Sequence, residues 1–368
     1  MLIKDEIWIL ADDRPGTFSQ SIGLAEEIGL QYKIITLTYS FFTNLPNYFL
    51  SDSLLRITGD LRKKFADFDY LPKVIISAGR RSAPIALHLK NQSQGRAKII
   101  QIMNPNCDFK KFDFIILPKH DEAREAKNLR PLSLRDTASW HKPCTALRET
   151  PSPMSMGHKG NLITTIGSLS KINDKIISDA GEKFRQEFPD LKKTTIALLI
   201  GGPSKKTSFD KSNAVDLAKI AARVAKNMNA TLLVLTSRRT GAALTQAVQK
   251  NLNCDFKMFD WQNLGSENPY LGIVGFADFF IVTGDSVSMI SECASTGKPV
   301  YIFDEKNIST PKHQRFHQNL FAENYARKLS AEAEILEKFS QKKLQETQRV
   351  ALIIKNKLNL ANPFNLAA

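Results

Sequence analysis

The sequence predicts an α/β protein of two Rossmann-like domains facing a central cleft. Three observations predict it. Ten short apolar runs rich in β-branched residues recur along the chain. Longer amphipathic segments of helical period lie between them. The runs also fall into two sets, one before residue 165 and one after 194, separated by a helical stretch and the turn at Pro189. Near-continuous apolar strands belong in a parallel sheet covered on both faces, and strand–helix alternation winds such a sheet doubly.

In chain order the predicted strands are 6–10, 32–37, 73–77, 97–102, 112–117, 161–166, 194–200, 230–236, 278–283 and 298–303. Each is four to eight residues of Val, Ile, Leu and aromatics, the length and composition of a buried strand. Predicted helices cover 18–29, 81–90, 174–187, 211–227, 239–250 and 286–296. Segment 330–358 reads as a helix with Ala, Leu, Ile and Val on one face and Lys, Glu and Gln on the other. The expected organisation is a first domain over 1–175 on the acceptor side and a second over 176–330 on the donor side. A C-terminal helix in 331–368 would pack back across both. Residues 121–160 are polar, proline-bearing and aperiodic, so they read as a long surface excursion.

A chain of 368 residues is long enough for two cores. Its 51 Lys and Arg against 37 Asp and Glu give a formal charge of +14. That balance favours phosphorylated small molecules or an anionic membrane surface; no recognition motif or aromatic platform supports nucleic acid. Four cysteines without a CxxC spacing argue against a disulfide framework, and Cys293 reads as a buried helical thiol. His313 and His317 stand at i, i+4, but no glutamate lies between them, so no metal and no cofactor is expected. The acidic start, MLIKDE, is unlike a signal peptide, and no run approaches a membrane span. A cytoplasmic protein follows, with peripheral contact at the inner face of a membrane left open.

Ligands of open α/β sheets sit beyond the carboxyl ends of the strands. After the first strand come Asp12, Asp13, Arg14, Gly16 and Gln20, without a GxGxxG fingerprint. After the third come Arg80 and Arg81, and after 230–236 come Ser237, Arg238 and Arg239. Arginine pairs in matching places of the two halves suit a phosphate or carboxylate, or else an ion pair within the protein. Gly201, Gly202 and Ser204 could bring backbone N–H groups and a hydroxyl to a phosphate. In TGDSVSMISECASTGKPVYIF (283–303), Asp285, Ser286 and Ser288 stand at a helix start, where a diphosphate fits. Glu292, one to two turns on, accepts hydrogen bonds only and suits a ribose diol. Phosphate donors followed by a diol acceptor describe a nucleotide site.

This arrangement resembles the donor half of GT-B glycosyltransferases, which implies a nucleotide-sugar donor. It also implies Glu292 on the ribose and Gly202, Ser204, Ser286 and Ser288 around the phosphates. WILADDRPGTFSQSIGLAEEIG, VIISAGRRSAP, LLIGGPSK, LTSRRT, NPYLGIVGFAD and the 283–303 stretch, in that order, resemble the mitochondrial-fission "elongated mitochondria" family. That resemblance implies a protein partner, a dynamin-related GTPase in plants, and His120-Asp121 matches a family His-Asp pair. The enzyme reading is a metal-independent glycosyltransferase acting on a lipid-linked or cell-envelope acceptor, with Asp13 or His120 as base. The alternative is a non-enzymatic adaptor at a membrane surface.

Overall fold

The computed structural model describes residues 2–121, 158–265, 268–305 and 307–360. Two compact units emerge, one of Met1–Ser21, Ile28–Thr165 and Ile353–Ala368, the other of Ile22–Glu27 and Ile166–Leu352. The main division falls between Thr165 and Ile166, earlier in the chain than the expected 175/176. Most of the excursion expected at 121–160 lies outside the described residues.

The first unit carries β1 (Leu2–Ala11), β2 (Tyr32–Thr36), β3 (Tyr70–Ala78), β4 (Lys98–Ile102), β5 (Phe114–Pro118), β6 (His158–Lys159) and β7 (Leu162–Thr165). Their order is β2-β1-β3-β4-β5-β7-β6, all parallel except the antiparallel β6. Helices α1 (Pro15–Ile28), α2 (Asn47–Leu50), α3 (Gly59–Ala66) and α4 (Gly79–Gln92) fill the crossovers. Trp8, Leu10, Ile75, Ile99 and Ile115 build one face of the core with Phe65 of α3 and Leu89 of α4. From β2 the chain leaves through Phe41 and returns through Arg56. The buried Arg56 guanidinium donates to the carbonyls of Arg80 (2.8 Å) and Arg81 (3.3 Å), fixing this loop to the start of α4.

The second unit carries β8 (Thr195–Ile200), β9 (Thr231–Thr236), β10 (Phe256–Phe259), β11 (Phe279–Thr283), β12 (Val300–Phe303) and β13 (Arg327–Lys328). Their order is β10-β9-β8-β11-β12-β13, parallel throughout. Its helices are α5 (Asp174–Glu187), α6 (Lys211–Asn227), α7 (Gly241–Asn251), α8 (Tyr270–Phe276), α9 (Val287–Ala294), α10 (Pro311–Ala322) and α11 (Glu346–Lys357), the last ending within the first unit's bounds. Every residue of β8, β9, β11 and β12 is buried, as a sheet covered on both faces requires. The ten predicted strands and six predicted helices are present; β6, β10, β13, α2, α3, α8 and α10 were not anticipated.

The expected helix over 330–358 is a helix only at Glu346–Lys357. Upstream of it, side chains capture the carbonyls a helix would use. The Arg223 guanidinium takes those of Ala331 and Ala333, Asn227 takes that of Glu334, and the Tyr301 hydroxyl takes that of Glu337. Tertiary hydrogen bonds here outweigh an amphipathic pattern.

Glycines join α5 to α8. A Cβ on Gly275 would lie 2.0 Å from the Ile177 carbonyl oxygen, and one on Gly181 would lie 2.9 Å from the Gly275 backbone. Gly275→Ala is therefore expected to lower stability by about 2 kcal/mol or more, read as a lower urea midpoint, because backbone cannot yield as a side chain can.

Candidate functional site

In the second sheet the chain moves outward from β8 to β9 and β10, then crosses to β11 and continues to β12 and β13. The order thus reverses between β8 and β11, the switch point at which ligands of open sheets bind. Loops after β8, β9 and β11 meet there. Gly201 N–H donates to Thr283 Oγ1 (2.8 Å) and Gly202 N–H to Asp285 Oδ2 (3.0 Å). Ser237 Oγ donates to the Gly201 carbonyl (2.8 Å), and Thr240 Oγ1 to that of Ile200 (3.1 Å). A Cβ on Gly201 would sit 2.2 Å from Asp285 Oδ2, and one on Gly202 2.4 Å from the Arg239 carbonyl. These glycines let three loops interlock. Their amides donate to Thr283 and Asp285 inside the protein, not to the phosphate that the Gly-Gly pattern suggests.

The two arginines after β9 differ. Arg239 donates to the Gly202 carbonyl (2.7 Å) and to the buried Asp285 carboxylate (2.6 Å), so it serves the interlock. Arg238 is exposed and forms no ion pair among the described residues. It borders a pocket of about 120 Å³ with Trp261, Asn268, Tyr270 and Met289, floored by Leu235 and Ile200. Ser204 is taken up locally, sharing a hydrogen bond with Thr207 Oγ1 (2.7 Å) and accepting one from Lys206 N–H.

Ser286 caps α9, its hydroxyl accepting from Met289 N–H (3.4 Å), and Ser288 lies half-buried in the first turn. The helix N-terminus thus offers N–H groups and partial positive charge beside the switch point. Glu292 stands in the second turn and accepts a hydrogen bond from the Tyr270 hydroxyl. Part of the residue's surface is exposed, yet the protein packed around its carboxyl raises its pKa from 4.5 to about 7, against lowering by Tyr270 and Lys171. Tyr270 is itself pushed well up by burial and by Glu292. Tyr270 and Trp261 escaped the sequence reading. Tyr270 lies in the NPYLGIVGFAD motif, where nothing marked it as a partner of Glu292, and Trp261 stands just beyond β10, a strand whose FKMF pattern is too short to stand out.

In the first sheet the order reverses between β1 and β3. Arg80 and Arg81 begin α4 there, opposite Asp12, Asp13 and Arg14. Arg81 donates through Nε to Asp12 Oδ2 (3.1 Å), forms further ion pairs with both Asp12 and Asp13, and lies 4.6 Å over the Tyr39 ring. Burial holds the Asp12 carboxyl above its ordinary range, while hydrogen bonds from Asp12 and Arg81 hold that of Asp13 below it. Gln20 is buried and donates to the Gly16 carbonyl (3.2 Å); Arg14 is exposed. His120 is buried two residues beyond β5. Thus Asp12, Asp13 and Arg81 form one cluster, and the Arg81 guanidinium is already matched by carboxylates.

His313 and His317 lie on α10, where His317 Nδ1 bonds Asp304 Oδ2 (2.9 Å). Among the described residues no group of His, Cys, Asp or Glu is arranged to hold a metal ion, and no helix is long and apolar enough to cross a membrane. Cys293 is free and buried.

Solved structures share this fold. The UDP-GlcNAc 2-epimerase of Methanocaldococcus jannaschii superposes with a TM-score of 0.53 at 11% identity, over 97% of this chain and 100% of that one. That of Neisseria meningitidis, bound to UDP-GlcNAc, gives 0.50 at 12% identity, over 96% and 92%. The fold is thus GT-B-like, two Rossmann-like units in one chain. An uncharacterized protein of Rickettsia prowazekii is 33% identical over 355 residues, 96% of this chain and 99% of that one. The mitochondrial fission protein ELM1 of Arabidopsis thaliana is 29% identical over 293 residues, 78% of this chain but 64% of the plant protein. The family model described as mitochondrial fission ELM1 matches residues 15–358, so the chain belongs to the ELM1 family.

Proposed function

We propose that the second unit binds a nucleoside diphosphate sugar and that the protein is a metal-independent glycosyltransferase. The observation that carries this is the convergence at one switch point of a serine-capped helix, an exposed arginine without an ion pair among the described residues, and a carboxyl acceptor. The diphosphate lies at the α9 N-terminus with Ser286, Ser288 and Arg238; the ribose hydroxyls donate to Glu292; the base enters the pocket beside Trp261. Helix dipole and guanidinium stabilise the departing diphosphate. A base must take the acceptor's proton. Asp13, held low by hydrogen bonds from Asp12 and Arg81, is a weak proton acceptor, which leaves His120 as the better candidate. A sugar acceptor attached to lipid or cell envelope suits the +14 charge. A fold shared with enzymes that bind UDP-GlcNAc supports the donor class.

A thermal-shift screen of UDP, GDP and their sugars tests this. A ligand at 100 times its Kd stabilises the native state by about 2.7 kcal/mol, enough for a shift of several degrees. No shift with any of them at millimolar concentration removes the proposal.

A second reading has its own observation. The loop held by Arg56 exposes Phe41 at 97%, with Phe42, Leu45 and Leu55 also exposed. Such an apolar tip suits a protein or membrane partner, as an adaptor requires. If no nucleotide binds, and Phe41→Ser abolishes capture on anionic vesicles, the adaptor reading replaces the enzyme.

A further inference from the structure

The opposite edge of the second sheet, where its strands begin, carries a basic groove. Helices α6 and α7 pack against each other and end there, leading into β9 and β10. Between their C-terminal halves lies a concave space of about 450 Å³, lined by Lys219, Arg223 and Lys226 of α6 and by Lys250 at the end of α7. Positions 219, 223 and 226 have the i, i+4, i+7 spacing of one helix face, so their three cations line the groove together. Asparagines supply the rest of the lining, and among the described residues no Asp or Glu lines it.

The charge there is not cancelled within the protein. Arg223 donates to the carbonyls of Ala333 (3.0 Å) and Ala331 and pairs with Glu334 (3.4 Å), so its own charge is matched. The nearby Asp255 is engaged by Lys192 (3.6 Å) and by the Thr231 hydroxyl (2.8 Å). Lys219, Lys226 and Lys250 are exposed and form no ion pair among the described residues. Lys226 and Lys250 stand in the last turns of their helices, where they offset the helix dipoles. Two helix C-termini contribute about half a negative charge each against three ammonium groups, so an excess of about two positive charges remains. Like charges around one concavity repel one another, and an anionic guest relieves that repulsion.

We infer that this groove docks an acidic peptide segment of a partner protein. Phosphate recognition favours the planar arginine fork, and the Arg223 fork is already held by carbonyls and Glu334. What remains is three separate ammonium points, which match carboxylates strung along a chain. Lys219 and Lys226 stand about 10 Å apart along the helix axis, an interval that about three residues of extended chain span. A bilayer is the poorer match. None of the exposed large apolar side chains lines the groove, and stable attachment to lipid adds apolar burial to charge. The groove and the switch point lie at opposite ends of the same strands, so the inference is independent of the nucleotide reading.

The test is fluorescence anisotropy of the full chain with a labelled oligoglutamate peptide at low salt, where exposed charges are least screened. The triple variant Lys219→Gln, Lys226→Gln, Lys250→Gln removes the free charges of the groove. The control Lys63→Gln, Lys64→Gln, Lys110→Gln removes three exposed lysines of the first unit and so reaches the same net charge. Each exposed pair is worth about twofold to threefold in affinity. The groove variant is therefore expected to bind the peptide about tenfold more weakly, and the control within about twofold of wild type, with like urea midpoints. Lys219→Gln alone leaves both helix-end lysines in place; it is expected to lose about twofold to threefold and serves if the triple variant does not fold. Equal losses in groove variant and control would show attraction to the overall +14 charge and overturn the inference. So would a wild type that does not bind the peptide. Loss of capture on phosphatidylserine vesicles in the groove variant, with peptide binding unchanged, would assign the groove to lipid and overturn it as well.

Discussion

Glu292→Gln is expected to stabilise the ligand-free protein at pH 8 by about 1–3 kcal/mol and to weaken its binding of nucleoside diphosphates. Burial lifts the Glu292 carboxyl from 4.5 to about 7. A folded pKa above the unfolded one means that folding favours the protonated form. The contribution is fully present below pH 4.5, where both states are protonated. It is lost as pH rises towards 7, and above 7 the folded protein carries a poorly solvated anion. A difference of about 2.5 pKa units corresponds to about 3 kcal/mol, reduced by partial exposure and by the stronger bond that Tyr270 makes to a carboxylate. Glutamine keeps an acceptor for the Tyr270 hydroxyl and removes the anion. Urea midpoints of both proteins at pH 4 and pH 8 check this: the variant gains only at pH 8. Parallel profiles would show that Glu292 titrates normally. Binding moves the opposite way, since the ionised carboxylate is the stronger acceptor for a ribose diol, and losing its charge costs about tenfold in affinity.

Arg238→Ala and Arg239→Ala, adjacent in sequence, are expected to fail differently. Arg239 is the partner of Asp285, whose carboxylate is buried at the centre of three loops. Removing one member of a buried pair strands the other, at about 3–5 kcal/mol. Arg239 is itself partly exposed, which places the loss near the lower end. Arg239→Ala should therefore shift the urea midpoint clearly and disturb binding only through the fold. Arg238→Ala removes an exposed side chain that forms no ion pair among the described residues, so stability stays within about 0.5 kcal/mol. Loss of a charge-assisted bond to phosphate then lowers nucleotide affinity about tenfold or more. Two variants of equal stability and equal affinity would contradict this division.

Much of the fold was legible because parallel strands buried on both faces print themselves as apolar runs. The helices at 174–187 and 211–227 were legible from amphipathic period, and the latter is opened by the Asp210–Asn213 capping box. What the sequence hid was partnership. Arg238 and Arg239 look alike, and so do Arg80 and Arg81, because burial and pairing are set by distant residues such as Asp285 and Asp12. Gly201 and Gly202 look like a phosphate cradle, yet their lack of side chains admits Asp285 and Arg239. Tyr270 and Trp261 lacked a periodic pattern of their own. The stretch at 331–345 has a helical pattern but is no helix, because Arg223, Asn227 and Tyr301, far away in sequence, take its carbonyls.

The most direct test of the central claim is a crystal structure of the protein with UDP or GDP bound. The account predicts diphosphate oxygens within hydrogen-bond distance of the Ser286–Ser288 turn and of Arg238, with the ribose on Glu292. A nucleotide seated elsewhere, with the start of α9 and Glu292 untouched, would contradict it.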